Sequence, residues 1–195
     1  MNLVDCGTLA TSDIPLNEYE LSKRLNTEKG FRNEDIERNF ERLQKEVSCR
    51  YLYARTFVKR LENGNIDLGF GEFKSETLLK NLKGSKEVFV FVVTLGIGVD
   101  RLLNKLSKIS ATDYFITDAI ASALAEGAAN EVDRRIKGEV LCRPRFSPGF
   151  GDLSLEIQPR LLNFLNAQKL LGISVGKSYL MAPMKTVTAI LGIVE

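Results

Sequence analysis

Apolar positions along this chain recur with two different periods, and the changes of period mark its elements. Ile36, Phe40, Leu43, Val47, Tyr51, Ala54, Val58 and Leu61 lie on one stripe at helical spacing, with most charges opposite. That stripe predicts one amphipathic helix of roughly 40 Å, capped by Asn33, with Glu34 and Asp35 in its first turn. Its alternating aromatics and bases, Arg50 to Arg55, are separated by helical geometry and do not indicate nucleic acid. Ahead of the stripe, residues 1–16 read as irregular. Pro15 precedes a short polar helix from about Asn17 to Leu25, and Thr27 to Gly30 is a loop. Asn63-Gly64-Asn65 ends the stripe. Ile66, Leu68 and Phe70 then alternate with Asp67 and Gly69, which predicts a half-buried strand.

Ser75 caps a short helix to about Leu82, closed by Gly84. Val88 to Val93 is an unbroken β-branched and aromatic run, the pattern of a strand buried on both faces. Gly96-Ile97-Gly98 follows and opens a helix from about Val99 to Lys108. Such a turn either packs closely or binds an anion at the helix start; as a dinucleotide fingerprint it lacks the third glycine. Ser110 and Asp113 pair as a cap for a helix from about Thr112 to Lys137. The middle of that helix is built of small residues, from Ala119 to Ala129. Glu126 lies on its close-packed side, where a carboxylate needs a cation, from a structural salt bridge or from a ligand. Asp118 and Asp133 read as solvated surface charges. After a loop from Gly138 to Asp152 come helical segments with Pro159 early and Gly172 at the end. Val175 to Met181 and Thr186 to Ile193 predict a terminal hairpin across Pro183-Met184-Lys185.

Composition narrows the picture. At 195 residues, the chain is long enough for one domain with a substantial core. A formal net charge of +2 gives no reason to expect nucleic acid or an anionic membrane as partner. No apolar run approaches the ~20 residues of a membrane span, and the first residues lack a signal-peptide pattern, so a cytoplasmic protein is expected. The three cysteines, Cys6, Cys49 and Cys142, are far apart and form no Cys-x-x-Cys pair. They read as free thiols, Cys142 as a packing residue. Histidine is absent, which removes His-assisted nucleophiles and histidine metal sites.

The most distinctive stretch is Arg145-Phe146-Ser147-Pro148-Gly149-Phe150-Gly151-Asp152. Proline fixes its own φ and biases Ser147 to an extended conformation. The glycines open conformations closed to other residues and admit a ligand to the main chain. Arg145 offers a permanent planar cation suited to a carboxylate or phosphate. By local chemistry alone this is also what a surface turn with a solvated arginine looks like.

Arg-x-x-x-Gly-(aromatic), here Arg145 to Phe150, resembles the S-adenosylmethionine-binding motif of the activation domain of cobalamin-dependent methionine synthase. Gly151-Asp152-Leu153 is similar to versions of that domain found as separate proteins. Thr94 to Arg101, Ala119 to Glu126 and Ser178 to Pro183 resemble further family segments, so the likeness spans roughly residues 87 to 193. Residues 1–86 resemble the family weakly and read as a helical N-terminal part of the same domain. The resemblance implies an α+β fold, a mixed or mainly antiparallel twisted sheet packed with long helices.

It also implies a site. Arg145 would take the carboxylate of S-adenosylmethionine, Glu126 its ammonium, and the backbone of Ser147 and Gly149 its adenine. Phe150 stands where the family usually has tyrosine; it keeps an apolar face and a cation–π surface for the sulfonium but loses the hydroxyl. The family's N-terminal ligand-binding aspartate finds no clear counterpart. The implied reaction is reductive methylation of cob(II)alamin, in which this domain positions the methyl donor and supplies no acid or base. The usual corrinoid module ligates cobalt through the histidine of Asp-x-His-x-x-Gly. This chain has no histidine, so the cobalamin would be presented by a partner, a methionine synthase polypeptide, with an electron donor such as flavodoxin. Two alternatives stay open: a docking protein of the same fold that no longer binds S-adenosylmethionine, and an unrelated small-molecule or nucleotide-binding enzyme using Gly96-Ile97-Gly98 and Arg145.

Overall fold

The structure is a computed structural model that describes residues 4–16, 18–25 and 33–194. The predicted Thr27–Gly30 loop and the capping side chain of Asn33 lie outside the described residues. In chain order the elements are β1 (Val4–Leu9), α1 (Glu18–Leu25), α2 (Asn33–Gln44), β2 (Cys49–Phe57), β3 (Lys59–Arg60), β4 (Ile66–Asp67) and β5 (Glu72–Phe73). Then follow α3 (Glu76–Asn81), β6 (Glu87–Thr94), α4 (Ile97–Ile109), α5 (Ala111–Glu139), α6 (Gln158–Phe164), α7 (Ala167–Leu171), β7 (Ser174–Val175), β8 (Met181–Ala182) and β9 (Thr186–Gly192).

The centre is an antiparallel four-stranded sheet in the order β1-β2-β6-β9. β6 explains the unbroken apolar run. Phe89, Phe91 and Val93 enter one core with α5, while Val88, Val90 and Val92 enter a second core with α3, α6 and α7. A strand buried on both faces has no polar side to show. On the first face α1, α2 and α4 pack around α5. On the second, β3, β4 and β5 form a small sheet of their own.

The predicted 40 Å helix is not one helix. It stops at Gln44, turns through Glu46 and Val47, whose amides both bond the Leu43 carbonyl, and resumes as β2. Residues 51–54 are apolar at every position; Tyr51 faces one core and Leu52 and Ala54 the other. Sampled every third or fourth residue, such a strand mimics a helical stripe. Part of the residues read as irregular is a strand, β1, so two of the four central strands come from residues 4–57. β1 carries Asp5, Gly7 and Thr8 because it is an edge strand. A Cβ on Gly7 would collide with the ring of its cross-strand partner Tyr51. The strand predicted at Ile66 to Phe70 shrinks to two residues. The terminal hairpin is also different: β8 pairs with β7, whereas β9 pairs with β6.

Several expectations hold. Ser75 accepts the Leu78 amide at the start of α3, and Ser110 accepts that of Asp113 at the start of α5. Gly172 closes α7 in the left-handed conformation. Gly98 serves close packing, since a Cβ there would strike the Glu46 carbonyl. Cys142 packs against the first core beside β9.

Candidate functional site

The site is built on α5, a 29-residue helix of roughly 43 Å. It is buried on most sides, and its small residues let neighbours approach: at Gly127 a Cβ would collide with the Pro15 carbonyl. A polar row runs along the helix. Asp118, Ser122, Glu126 and Asn130 are spaced four apart, so they stack along one side at roughly 6 Å per step.

Two cations from outside the helix hold this row. At its start, the Lys185 ammonium donates to Asp118 Oδ1 at 2.7 Å and to Ser122 Oγ at 2.8 Å. At its end, Arg145 Nη2 donates to Glu126 Oε2 at 2.7 Å, and Nη1 donates to Asn130 Oδ1 at 2.7 Å. Asp118, 35% exposed, is a surface charge that also takes a lysine partner. Asp133 is less solvated than expected: its Oδ2 accepts from Lys137 at 2.6 Å and its side chain is 18% exposed.

Arg145 reaches α5 because its loop runs as an interrupted fifth strand beside β9. The Arg143 amide donates to the Gly192 carbonyl, and Phe146 and Ile190 exchange both main-chain bonds. Continuing that register places Pro148 opposite Thr188. Proline has no N–H, so the ladder stops there. Alternation in an antiparallel pair turns the N–H and C=O of Thr188 away from β6 and toward this missing partner. Among the described residues they take no hydrogen bond, although Thr188 is buried.

Beyond Pro148 the chain arches. Gly149 has φ of 91° and donates its N–H to the Leu153 carbonyl; the Phe150 N–H donates to the Ser147 carbonyl. The Ser147 N–H and the Gly149 C=O have no partner among the described residues. Phe150 is 68% exposed at the crest. Gly151, φ 56°, lies so close to Thr77 that a Cβ would collide with it. Asp152 anchors the far end. Its carboxylate accepts from Ser75 Oγ at 2.6 Å, from the Thr77 hydroxyl, and from the amides of Glu76 at 2.7 Å and Thr77 at 3.2 Å. The hydroxyl of Ser75, then that of Thr77, with both amides, holds this carboxyl far below the usual carboxylate range.

The geometry thus brings Glu126 and Arg145 together, with Ser147, Gly149 and Phe150 in the arch that follows. The two charged side chains meet directly. They are 38% and 22% exposed, so solvent reaches both. Two clefts of about 620 Å³ lie elsewhere, one beside Pro159 and Ile173, the other between Arg50, Gly96 and Leu170; neither is lined by Glu126 or Arg145. Among the described residues no group of histidine, cysteine and carboxylate side chains can hold a metal ion, and no helix is long and apolar enough to cross a membrane. Sequence reasoning missed Asn130, Ser122, Lys185 and Thr188. Ser122 and Asn130 had a signal, the four-residue spacing on either side of Glu126. Lys185 and Thr188 had none, because they depend on which strand neighbours the loop.

No protein-family model matches the sequence, and no curated protein does. Among solved structures, the crystal structure of the MetH reactivation domain bound to AdoHcy is similar, with a TM-score of 0.70 at 15% identity over 97% of this chain and 78% of that one. The expected α+β architecture, an antiparallel sheet packed with helices, is the one the chain adopts and shares with that domain.

Proposed function

We propose that this chain binds S-adenosylmethionine and serves as a reactivation module for a cobalamin-dependent methionine synthase carried by another polypeptide. The observation that carries the reading is the meeting of Glu126 and Arg145. A helix and the motif loop deliver one anion and one cation to the same spot, the pair that an amino-acid zwitterion needs. On binding, the ligand carboxylate replaces Glu126 on the guanidinium, and the ligand ammonium takes the freed Glu126 carboxylate. Both exchanges trade one charge-assisted bond for another, so neither charge is left unpaired. The Ser147 N–H and the Gly149 C=O can meet the acceptor and donor of an adenine edge. Phe150 offers its face to the sulfonium.

The reaction belongs to the partner's corrinoid: one electron and the methyl of S-adenosylmethionine restore methylcobalamin and leave S-adenosylhomocysteine. This chain binds the methyl donor, orients its sulfonium toward the exposed side of the arch and restricts water there. An electron donor such as flavodoxin completes the set. Supporting the reading are the motif and the shared fold with a domain whose structure holds AdoHcy.

Calorimetry tests it. S-adenosylmethionine is expected to bind in the micromolar range, and Arg145→Ala and Glu126→Gln are each expected to weaken it by about tenfold or more, the loss of a charge-assisted bond. One observation favours a second reading: Glu126 and Arg145 already satisfy each other, as they would in a same-fold docking protein that has lost the ligand. That reading predicts no S-adenosylmethionine binding but a stable complex with the corrinoid protein.

A further inference from the structure

The Glu126–Arg145 pair has a third member. Asn130 sits one helical turn beyond Glu126 and accepts from Arg145 Nη1 at 2.7 Å, so the guanidinium straddles a turn of α5 with one nitrogen on each residue. Arg145 Nε takes no partner among the described residues. If Glu126 were the only anchor, releasing it to a ligand ammonium would free the whole arginine head to swing into solvent. The Asn130 amide oxygen prevents that: it keeps Nη1, so that once Glu126 lets go, Nε and Nη2 are free to donate side by side. Such parallel donors receive a carboxylate bidentately.

We propose that Asn130 is a positioning residue for ligand carboxylates, holding Arg145 in place while Glu126 changes partner. The inference rests on the S-adenosylmethionine reading above. A neutral acceptor suits the task. An aspartate would hold the same nitrogen but compete electrostatically with the incoming carboxylate.

The test uses the full chain and two probes, S-adenosylmethionine and 5′-methylthioadenosine, which keeps the adenosyl and sulfur portions but has no carboxylate or ammonium. Titrations of the wild type, Asn130→Ala, Asn130→Asp and Asn130→Gln are compared, with a thermal melt of each. Asn130→Ala is expected to lose roughly tenfold in affinity for S-adenosylmethionine and nothing for 5′-methylthioadenosine. Asn130→Asp should lose at least as much despite keeping the bond. Asn130→Gln, which retains a neutral acceptor on a longer arm, should recover part of the loss. An unchanged S-adenosylmethionine affinity in Asn130→Ala overturns the proposal, as does an equal loss for both probes, which marks a purely structural role. Failure of the wild type to bind S-adenosylmethionine at all sinks the functional reading itself, and this inference with it.

Discussion

At the scale of single residues, the chemistry of the arch follows from one missing hydrogen. Phe146 and Ile190 form the last complete pair of the loop with β9. Pro148 arrives at the next position without an N–H, and the Thr188 carbonyl behind it takes no partner among the described residues. A buried main-chain acceptor without a partner is costly, on the order of 1–3 kcal/mol, unless something fills it. Pro148→Ala restores the donor. It is expected to lengthen the ladder by one pair, pull the arch toward β9 and weaken S-adenosylmethionine several-fold. Unfolding free energy should change by no more than about 1 kcal/mol, because the new bond offsets the lost rigidity of proline in the unfolded chain. Titration and urea denaturation of the variant measure both. An unaltered ligand affinity would mean that the break in the ladder at Pro148 plays no part in binding.

At the scale of elements, α5 is tied to the sheet by a charge network separate from the row of Asp118, Ser122, Glu126 and Asn130. Glu131, nearly buried, accepts from Arg134 and Arg135 at 2.8 Å, and Arg135 also donates to the Tyr51 hydroxyl of β2 at 3.3 Å. The hydrogen bonds from Arg134, then Arg135, draw the Glu131 carboxyl down to about 2 from an ordinary value of 4.5. A carboxyl depressed on folding stabilises the native state above its unfolded pKa and loses that contribution as pH falls through its folded one. The window here runs from about 4.5 down to about 2. Glu131→Gln is therefore expected to be less stable than wild type at pH 7, with a gap that narrows as pH drops below 4.5. Chemical denaturation across that range checks it; a constant gap would assign the acid sensitivity to another group. The network also shows what the sequence can convey. Caps, glycine stops and the doubly buried β6 were legible because each is written in a few adjacent residues. β1 and the break after α2 were not. An edge strand shows a weak apolar period, and the apolar faces of β2 fall in step with a helical stripe once its partners are unknown. The motif residues and Glu126 could be named, whereas Lys185 and Thr188 needed the strand order.

At the scale of the whole molecule, the arch lies where the two cores meet at an edge of the sheet. Arg145 ties its beginning to α5 on one face, and Asp152 ties its end to α3 on the other. Between these anchors, Ser147 to Gly151 spans from layer to layer. The main chain is therefore accessible from outside while both ends stay fixed, an arrangement suited to holding a small ligand toward a second protein. Amide hydrogen exchange tests that division of labour. The amides of Phe146 and Ile190, bonded to each other, are expected to exchange slowly with or without ligand. Those of Ser147 and Thr188, which take no partner among the described residues, should exchange faster and be slowed by saturating S-adenosylmethionine. The competing location is the cleft between Arg50, Gly96 and Leu170, which has a volume of about 620 Å³ and its own cation. Protection that appears at residues 96–98 and 170–172, and not in peptides spanning 145–150 and 186–190, would place the ligand in that cleft. The Glu126–Arg145 pair would then be only a strut between helix and loop.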